Sequence, residues 1–347
     1  MNEFLTSILR AINSVIQNHG LSIVVFTILI RLVLMPLDVK SRKGMRKMQK
    51  MQPQINELTK RYKNDQQKLQ RKQQELFQKE HYNPLSGCLP MLIQMPILFA
   101  MFAAMRYVAG QEMVQEAFHF LSGSENLVLD NFLWIKSVWM PDTPFAPYVP
   151  DFNALSMIDF KIWQSAFDAL TPEALGAITA NIPNYTQGML DFTNAATTRT
   201  TVDTLVNAMA KLPAYQAAIA PVSGWQNLNL LFFNVTVFQN FNGLMILPVL
   251  AFVSQMLMTK FMNTAQPAAA NDNGQAASTA KMMQYMFPIM SVFFCLTSNA
   301  GFAIYWVTSN LIATGQTLFI NRYLDYKELH PSPEKPKYTN IDKGDIK

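Results

Sequence analysis

Apolar residues collect in five long runs, at roughly 21–37, 87–107, 243–259, 282–298 and 301–320, each with few charges. Each approaches or meets the ~17–25 residues that a membrane-crossing helix needs. Pro36, Pro90, Pro96, Pro248 and Pro288 lie in or beside these runs, which membrane helices tolerate where neighbours satisfy the freed carbonyls. Pro96 is expected to kink the second run. Only Ser298-Asn299-Ala300-Gly301 parts the last two, predicting a tight helical hairpin. Ahead of the first run, Phe4, Leu5, Ile8, Leu9, Ile12, Val15 and Ile16 recur at helical spacing with polar residues between. This pattern predicts an amphipathic helix over 1–20 rather than a signal peptide with its basic region and small-residue cleavage site. The helix either lies flat on the outer membrane interface before the chain turns in at Gly20, or packs against the outer domain.

A second periodicity follows the first run. Met45, Met48, Met51, Ile55, Leu58 and Tyr62 step by three or four residues, Asn64-Asp65 offers a turn, and Leu69, Leu76 and Phe77 supply a second face. Two antiparallel helices sharing an apolar seam over 39–83 account for this spacing. Residues 39–82 carry thirteen Lys/Arg, Lys47 and Arg61 among them, against the acids Glu57, Asp65, Glu75 and Glu80. So basic a short loop belongs in the cytoplasm by the positive-inside rule. With five spans, the amino terminus is then outside and the carboxyl terminus in the cytoplasm. The hairpin reads as a solvated element near anionic lipid, or as a docking surface on which Met45, Met48 and Met51 offer adaptable apolar contacts beside Lys47 and Arg61.

The expected division runs 1–20 amphipathic helix, 21–38 first span, 39–83 cytoplasmic hairpin, 84–108 second span and 109–241 outer region. It continues with 242–260 third span, 261–281 cytoplasmic loop, 282–298 fourth span, 299–322 fifth span and 323–347 cytoplasmic tail. The stretch 110–227 holds four Lys/Arg against eleven Asp/Glu, in keeping with an outer position. Within it, 150–227 reads as a small inserted subdomain with short helices over Phe152–Leu170, Pro172–Thr179 and Val202–Leu212. It would cap the outer helix ends or bind a partner. Leu228–Phe241 is expected to be interfacial or to lead into the third span; a sixth crossing there would overturn the topology.

Composition agrees with a polytopic, all-α membrane protein: of 347 residues, 50% are hydrophobic and only 15% charged, below the ~25% usual in soluble domains. Cys88 and Cys295 both fall in or beside apolar runs, so neither a disulfide framework nor a metal cluster is suggested, and no cofactor is implied. Neither an HExxH nor a GxSxG motif occurs, and His19, His81, His119 and His330 are scattered, so an enzyme is not indicated. Basic residues without interleaved aromatic positions do not point to direct nucleic-acid binding. The residue out of place is Arg31, inside Leu21–Leu37. A cation in a span costs ~2.5–3.5 kcal/mol on insertion scales and marks a functional position unless it snorkels to an interface. Thr27 lies one turn earlier on the same face. Gln94, Gln255, Ser309 and Asn310 are further polar groups within apolar runs that need partners or water. A shared water-filled concavity would satisfy the whole set.

The run Asn83-Pro84-Leu85-Ser86-Gly87-Cys88-Leu89-Pro90-Met91-Leu92-Ile93-Gln94-Met95-Pro96-Ile97 closely resembles the YidC/Oxa1/Alb3 membrane insertases. So do Thr27-Ile28-Leu29-Ile30-Arg31, Pro36-Leu37, Met51-Gln52-Pro53, Trp134-Ile135, Pro141-Asp142, Ile246-Leu247-Pro248, Gln255, Met286-Phe287-Pro288 and Tyr305–Leu311, in the family's order. The resemblance covers about 1–149 and 228–325. It implies five helices around a hydrophilic groove open to cytoplasm and lipid, in the bacterial plasma (inner) membrane. It implies insertion of nascent membrane proteins, alone or with the Sec translocon, and the groove positions Arg31, Thr27, Gln94, Gln255, Trp306 and Asn310. The tail 322–347 has six Lys/Arg and five Asp/Glu, so contact with a ribosome would fall to the basic hairpin. The competing function is a transporter or channel using Arg31 as a counter-ion, but the repeated halves usual there are not found.

Overall fold

The computed structural model describes residues 2–83, 85–123, 129–230, 233–263 and 274–330. It is mostly helical. Helix α1 (Asn2–Ile16) leads into α2 (His19–Arg61), α3 (Gln66–Lys79) and α4 (Leu85–Leu121). The short helices α5 (Phe152–Ser156), α6 (Phe160–Asp168), α7 (Pro172–Ala180), α8 (Ala195–Met209) and α9 (Pro213–Ala218) follow. A small antiparallel pair, β1 (Leu228–Leu230) and β2 (Phe233–Val235), precedes α10 (Ile246–Asn263), α11 (Gly274–Thr297) and α12 (Ala300–Leu329). By length and composition, α2 and the Met95–Leu121 part of α4 suffice to cross a membrane; Ile246–Phe261 and Tyr285–Thr297 are shorter apolar helices.

The division at residue 38 does not exist in the backbone. The first span and the first hairpin helix are one helix of 43 residues, running through Pro36 and Pro53. Composition changes there from apolar to basic, but Met, Lys, Arg and Gln are all strong helix formers, so nothing ends the helix. Asn18 caps its start through Leu21 N, and the turn Tyr62–Asp65 ends it before Asp65 caps α3 through Lys68 N. The expected seam is present: Met51, Ile55 and Tyr82 are buried, with Met48, Leu76 and Phe77 against them. Met51→Ala removes about 2 kcal/mol or more from so small a cluster. Hydrogen exchange is therefore expected to quicken across α3 while the main core keeps its protection.

Other boundaries moved for local reasons. The helix of the second run is longer than the expected 84–108, because α4 continues to Leu121 as the spine of the subdomain around 150–227. There Val114, Ala117, Phe118 and Leu121 join Leu155, Trp163, Leu205 and Tyr215 in a second core, and the Trp163 ring stacks on Phe192 at 5.4 Å. Phe152–Leu170 is two helices, since Asp159 caps a new start through Lys161 N. The helix expected from Val202 begins earlier, at Ala195, where Asn194 accepts from Ala196 N and Thr197 N. The Leu228–Phe241 run holds β1 and β2 and then pairs Phe238 with Pro221 and Phe241 with Pro147; among its described residues no helix forms. Part of the apolar stripe of α1 is turned onto protein: Leu9 is buried and Leu5, Ile8 and Ile12 pack on the core built from α2, α4 and α12, whereas Phe4 and Val15 are exposed. An amphipathic stripe needs an apolar partner, and α2 and α4 supply one. Helix α10 runs to Asn263 and α11 begins at Gly274, both inside the expected loop 261–281; its residues 264–273 and the tail beyond His330 lie outside the described residues.

The long helices are packed in the order α4, α2, α12, α10, α11. Among the described residues no broad contact joins α4 to α11. The main core, with Ile23, Phe26, Met101, Met105, Leu247, Ala251, Ala303 and Tyr305, lies at the end of these helices nearest the loop 130–147.

Candidate functional site: a polar face between α2, α12 and α10

Thr27 and Arg31 lie one turn apart on the α2 face that meets α12, and both are buried. Thr27 Oγ1 donates to Ile23 O at 2.7 Å, so its hydroxyl is satisfied within its own helix. Arg31 Nε donates to Ser309 Oγ at 3.0 Å, and Nη2 reaches the same oxygen. The carbonyl of Arg31 in turn accepts from Gln316 Nε2 at 2.9 Å. One α12 residue further, Asn310 is buried and Nδ2 donates to Ser254 Oγ on α10 at 3.3 Å. Adjacent residues of α12 thus hold α2 on one side and α10 on the other.

The remaining positions are placed more loosely. Gln255 is half-buried on α10, next to Ser254. Trp306 packs on Phe302 with ring centroids 5.7 Å apart, and its buried Nε1 has no partner. Among the described residues, no hydrogen bond joins either to Arg31. The side chain of Gln94 lies outside the described residues. A guanidinium has five donors. Arg31 spends those in evidence on one neutral hydroxyl, and the carboxylate that acts on it, Asp38, closes no ion pair with it. This face therefore carries a positive charge in an apolar setting that no ion pair among the described residues neutralises, suited to attracting an anionic group.

Towards the other end of α2 the same interface becomes ionic. Arg42 is buried and donates through Nη2 to Thr317 Oγ1. Arg46 donates to Asn321 O at 2.6 Å and pairs with Asp325 at 2.6 Å, and Lys50 pairs with Glu328 at 3.1 Å. Lys47 donates to Glu80 O, tying α2 to the end of α3, whereas Arg61 forms only an exposed pair with Glu57 at 2.9 Å. Of the hairpin residues, Met45 and Met51 are buried and Met48 half-buried.

The opposite ends of the helices are closed by the loop 130–147. Asp142 is fully buried; its Oδ2 accepts from Leu247 N at 2.7 Å and Trp134 Nε1 at 3.2 Å, capping α10. Asn242, also fully buried, donates from Nδ2 to Ser137 O, Met140 O and Pro141 O, and accepts from Ser137 N. Ala300 N and Gly301 N donate to Met140 O and Val138 O, capping α12. Gly243 packs so closely that a Cβ there would sit 1.9 Å from Asp142 Oδ1. The residue types 134–135 and 141–142 were visible in the sequence, but their capping role was not. Ser254, Gln316, Thr317, Asp38 and Arg42 were missed as site residues. Only the spacing of Asp38 and Arg42 from Arg31 offered a signal.

Beside this closed end, Glu116 lies where α4 joins the outer core. Its buried Oε1 has no partner among the described residues. His19 pairs with Asp130 at 2.8 Å nearby.

The profile of the 60Kd inner membrane protein family matches residues 11–210 and 204–328. The match runs through 150–227, beyond the segments on which the resemblance was first read. Proteins named membrane protein insertase YidC are similar to this chain. That of Fusobacterium nucleatum is 42% identical over 106 residues, 30% of this chain and 52% of that protein. That of Clostridium perfringens is 39% identical over 127 residues, 37% of this chain and 47% of that protein. That of Chlorobium luteolum is 27% identical over 329 residues, covering 94% of this chain but 37% of that protein. These alignments thus span about half or less of the length of these relatives.

Proposed function

The chain belongs to the 60Kd inner membrane protein family, and on that premise we propose that it inserts hydrophobic segments of nascent proteins into the bacterial inner membrane. The observation that carries this reading is the buried Arg31 on the α2–α12 face, held by Ser309 without a carboxylate partner. Five helices cross the bilayer, and the polar face between α2, α12 and α10 belongs to a hydrophilic groove open to lipid and cytoplasm. The packing order, with α4 and α11 at its ends, supports an arc rather than a closed bundle. The capping of α10 and α12 by the loop 130–147 supports closure on the outer side. Helix α2 is 43 residues long, about 65 Å, against a hydrocarbon core of about 30 Å. Its basic half therefore projects into the cytoplasm with α3, leaving the amino terminus outside and the carboxyl terminus inside.

A polar or acidic client tail is drawn by Arg31 into the groove, while the client's apolar segment moves sideways into lipid. That apolar burial drives the step without a nucleotide. Clients arrive directly or through a Sec translocon, and the basic hairpin is the surface that would meet a ribosome or anionic lipid. The test is reconstitution of the purified chain in protein-free liposomes with a small single-span client synthesised in vitro. Protease-protected client would support autonomous insertion. Its absence with folded protein would overturn it, and solute flux across the same liposomes would favour a channel.

A further inference from the structure

We propose that Asp38 and Arg42 set the charge selectivity of this groove, Asp38 as a built-in competitor for client carboxylates and Arg42 as a second arginine that receives them. The inference rests on the insertase reading and deepens it. Asp38 follows Arg31 by seven residues and Arg42 by eleven, about two and three helical turns, so all three share one face of α2. The rise per residue places Asp38 about 10 Å along the axis from Arg31 and about 6 Å from Arg42. Both separations are near the Debye length of ~8 Å, and partial burial screens them less than bulk solvent would.

Each of the three has a distinct state. Arg31 spends its recorded hydrogen bonds on one serine. Asp38 is half-buried and acts electrostatically on both arginines without an ion pair to either. Arg42 is 8% exposed; its Nη2 is taken by Thr317, whose hydroxyl already donates to Ala313 O, and its Nη1 is buried with no partner. A buried donor left unmade is costly, and a carboxylate is the group that would satisfy it best. The column thus holds two arginines against one carboxylate, an excess of cationic groups that suits a tail bearing one acid. Beyond it, Arg46 and Lys50 are already paired with Asp325 and Glu328. The selective part of the face therefore ends at Arg42.

The test uses the full chain in protein-free liposomes and two clients that differ only in having Asp or Asn in the translocated tail. The quantity read is the ratio of acidic-tail to neutral-tail insertion, with the melting temperature of each variant as a check on folding. Asp38→Asn should raise the ratio about threefold and Arg42→Gln lower it about threefold, the scale of a partly screened charge interaction. The double variant Asp38→Asn with Arg42→Gln should return it towards the natural value, which general damage would not do. An unchanged ratio in folded Asp38→Asn, with the natural protein inserting both clients, would overturn the inference and leave the insertase reading intact. Insertion of neither client by the natural protein would overturn that reading, and this one with it.

Discussion

Arg31→Ala should lower insertion of a client with an acidic translocated tail by about tenfold, and of a neutral-tail client by less than about twofold. The magnitude follows from electrostatics. A cation and a carboxylate about 4 Å apart at an effective dielectric near 20 attract by about 4 kcal/mol before desolvation is subtracted. Desolvation of the pair takes back the larger part, and the remaining ~1–2 kcal/mol corresponds to roughly tenfold. Arg31→Lys should retain part of the effect. It keeps the charge, but a single ammonium cannot reproduce the paired Nε and Nη2 contacts to Ser309. The check is protease protection of both clients in liposomes. Equal loss for the two clients would assign Arg31 to structure, and no loss for either would remove it from the mechanism.

The second large effect is at the closed end. Asn242→Ala should destabilise the protein by about 3 kcal/mol, because the two Nδ2 protons shared over three carbonyls and the acceptor of Ser137 N are lost, about 1 kcal/mol for each hydrogen bond, and their partners stay buried. The lost bonds are those to Ser137 O at 2.9 Å, Met140 O at 2.9 Å and Pro141 O at 3.0 Å, and that from Ser137 N at 2.8 Å. Asn242→Asp should be at least as damaging, since it keeps the acceptor but loses the donor and adds a second buried charge close to Asp142. Thermal unfolding in detergent, followed by the fluorescence of Trp134 and Trp139 in the same loop, measures both. A loss under about 1 kcal/mol would mean that the loop 130–147 is held by packing rather than by this network.

Much of the candidate site was legible because it is local. Thr27 and Arg31 share a face by helical period alone, and a cation in an apolar run is conspicuous whatever surrounds it. The hairpin seam of Met48, Met51, Ile55, Leu76 and Phe77 was equally legible, since its two faces lie within one short stretch of chain. The continuity of α2 was hidden for a physical reason. Polarity reports which solvent a helix faces, whereas its ends depend on caps, and no cap lies between Asn18 and Tyr62. The β1–β2 pair was hidden because a run of apolar residues has no decisive period. Ser309 was visible as a polar residue, but not as the partner of Arg31, because the two are 278 positions apart.

What the sequence by itself determined is that the five apolar runs and the basic stretch are helical, that 39–82 is densely basic, and that a cation sits in the first apolar run. Those follow from periodicity, charge and desolvation, which act within a few residues. Only the tertiary structure decided that Arg31 answers to Ser309, that Asn310 answers to Ser254, and that Asp142 caps α10 from the far side of the outer subdomain. Each of those is a buried polar group finding its partner across more than fifty residues of chain. Such a partner is chosen by how whole helices pack, a choice that short-range sequence patterns do not contain.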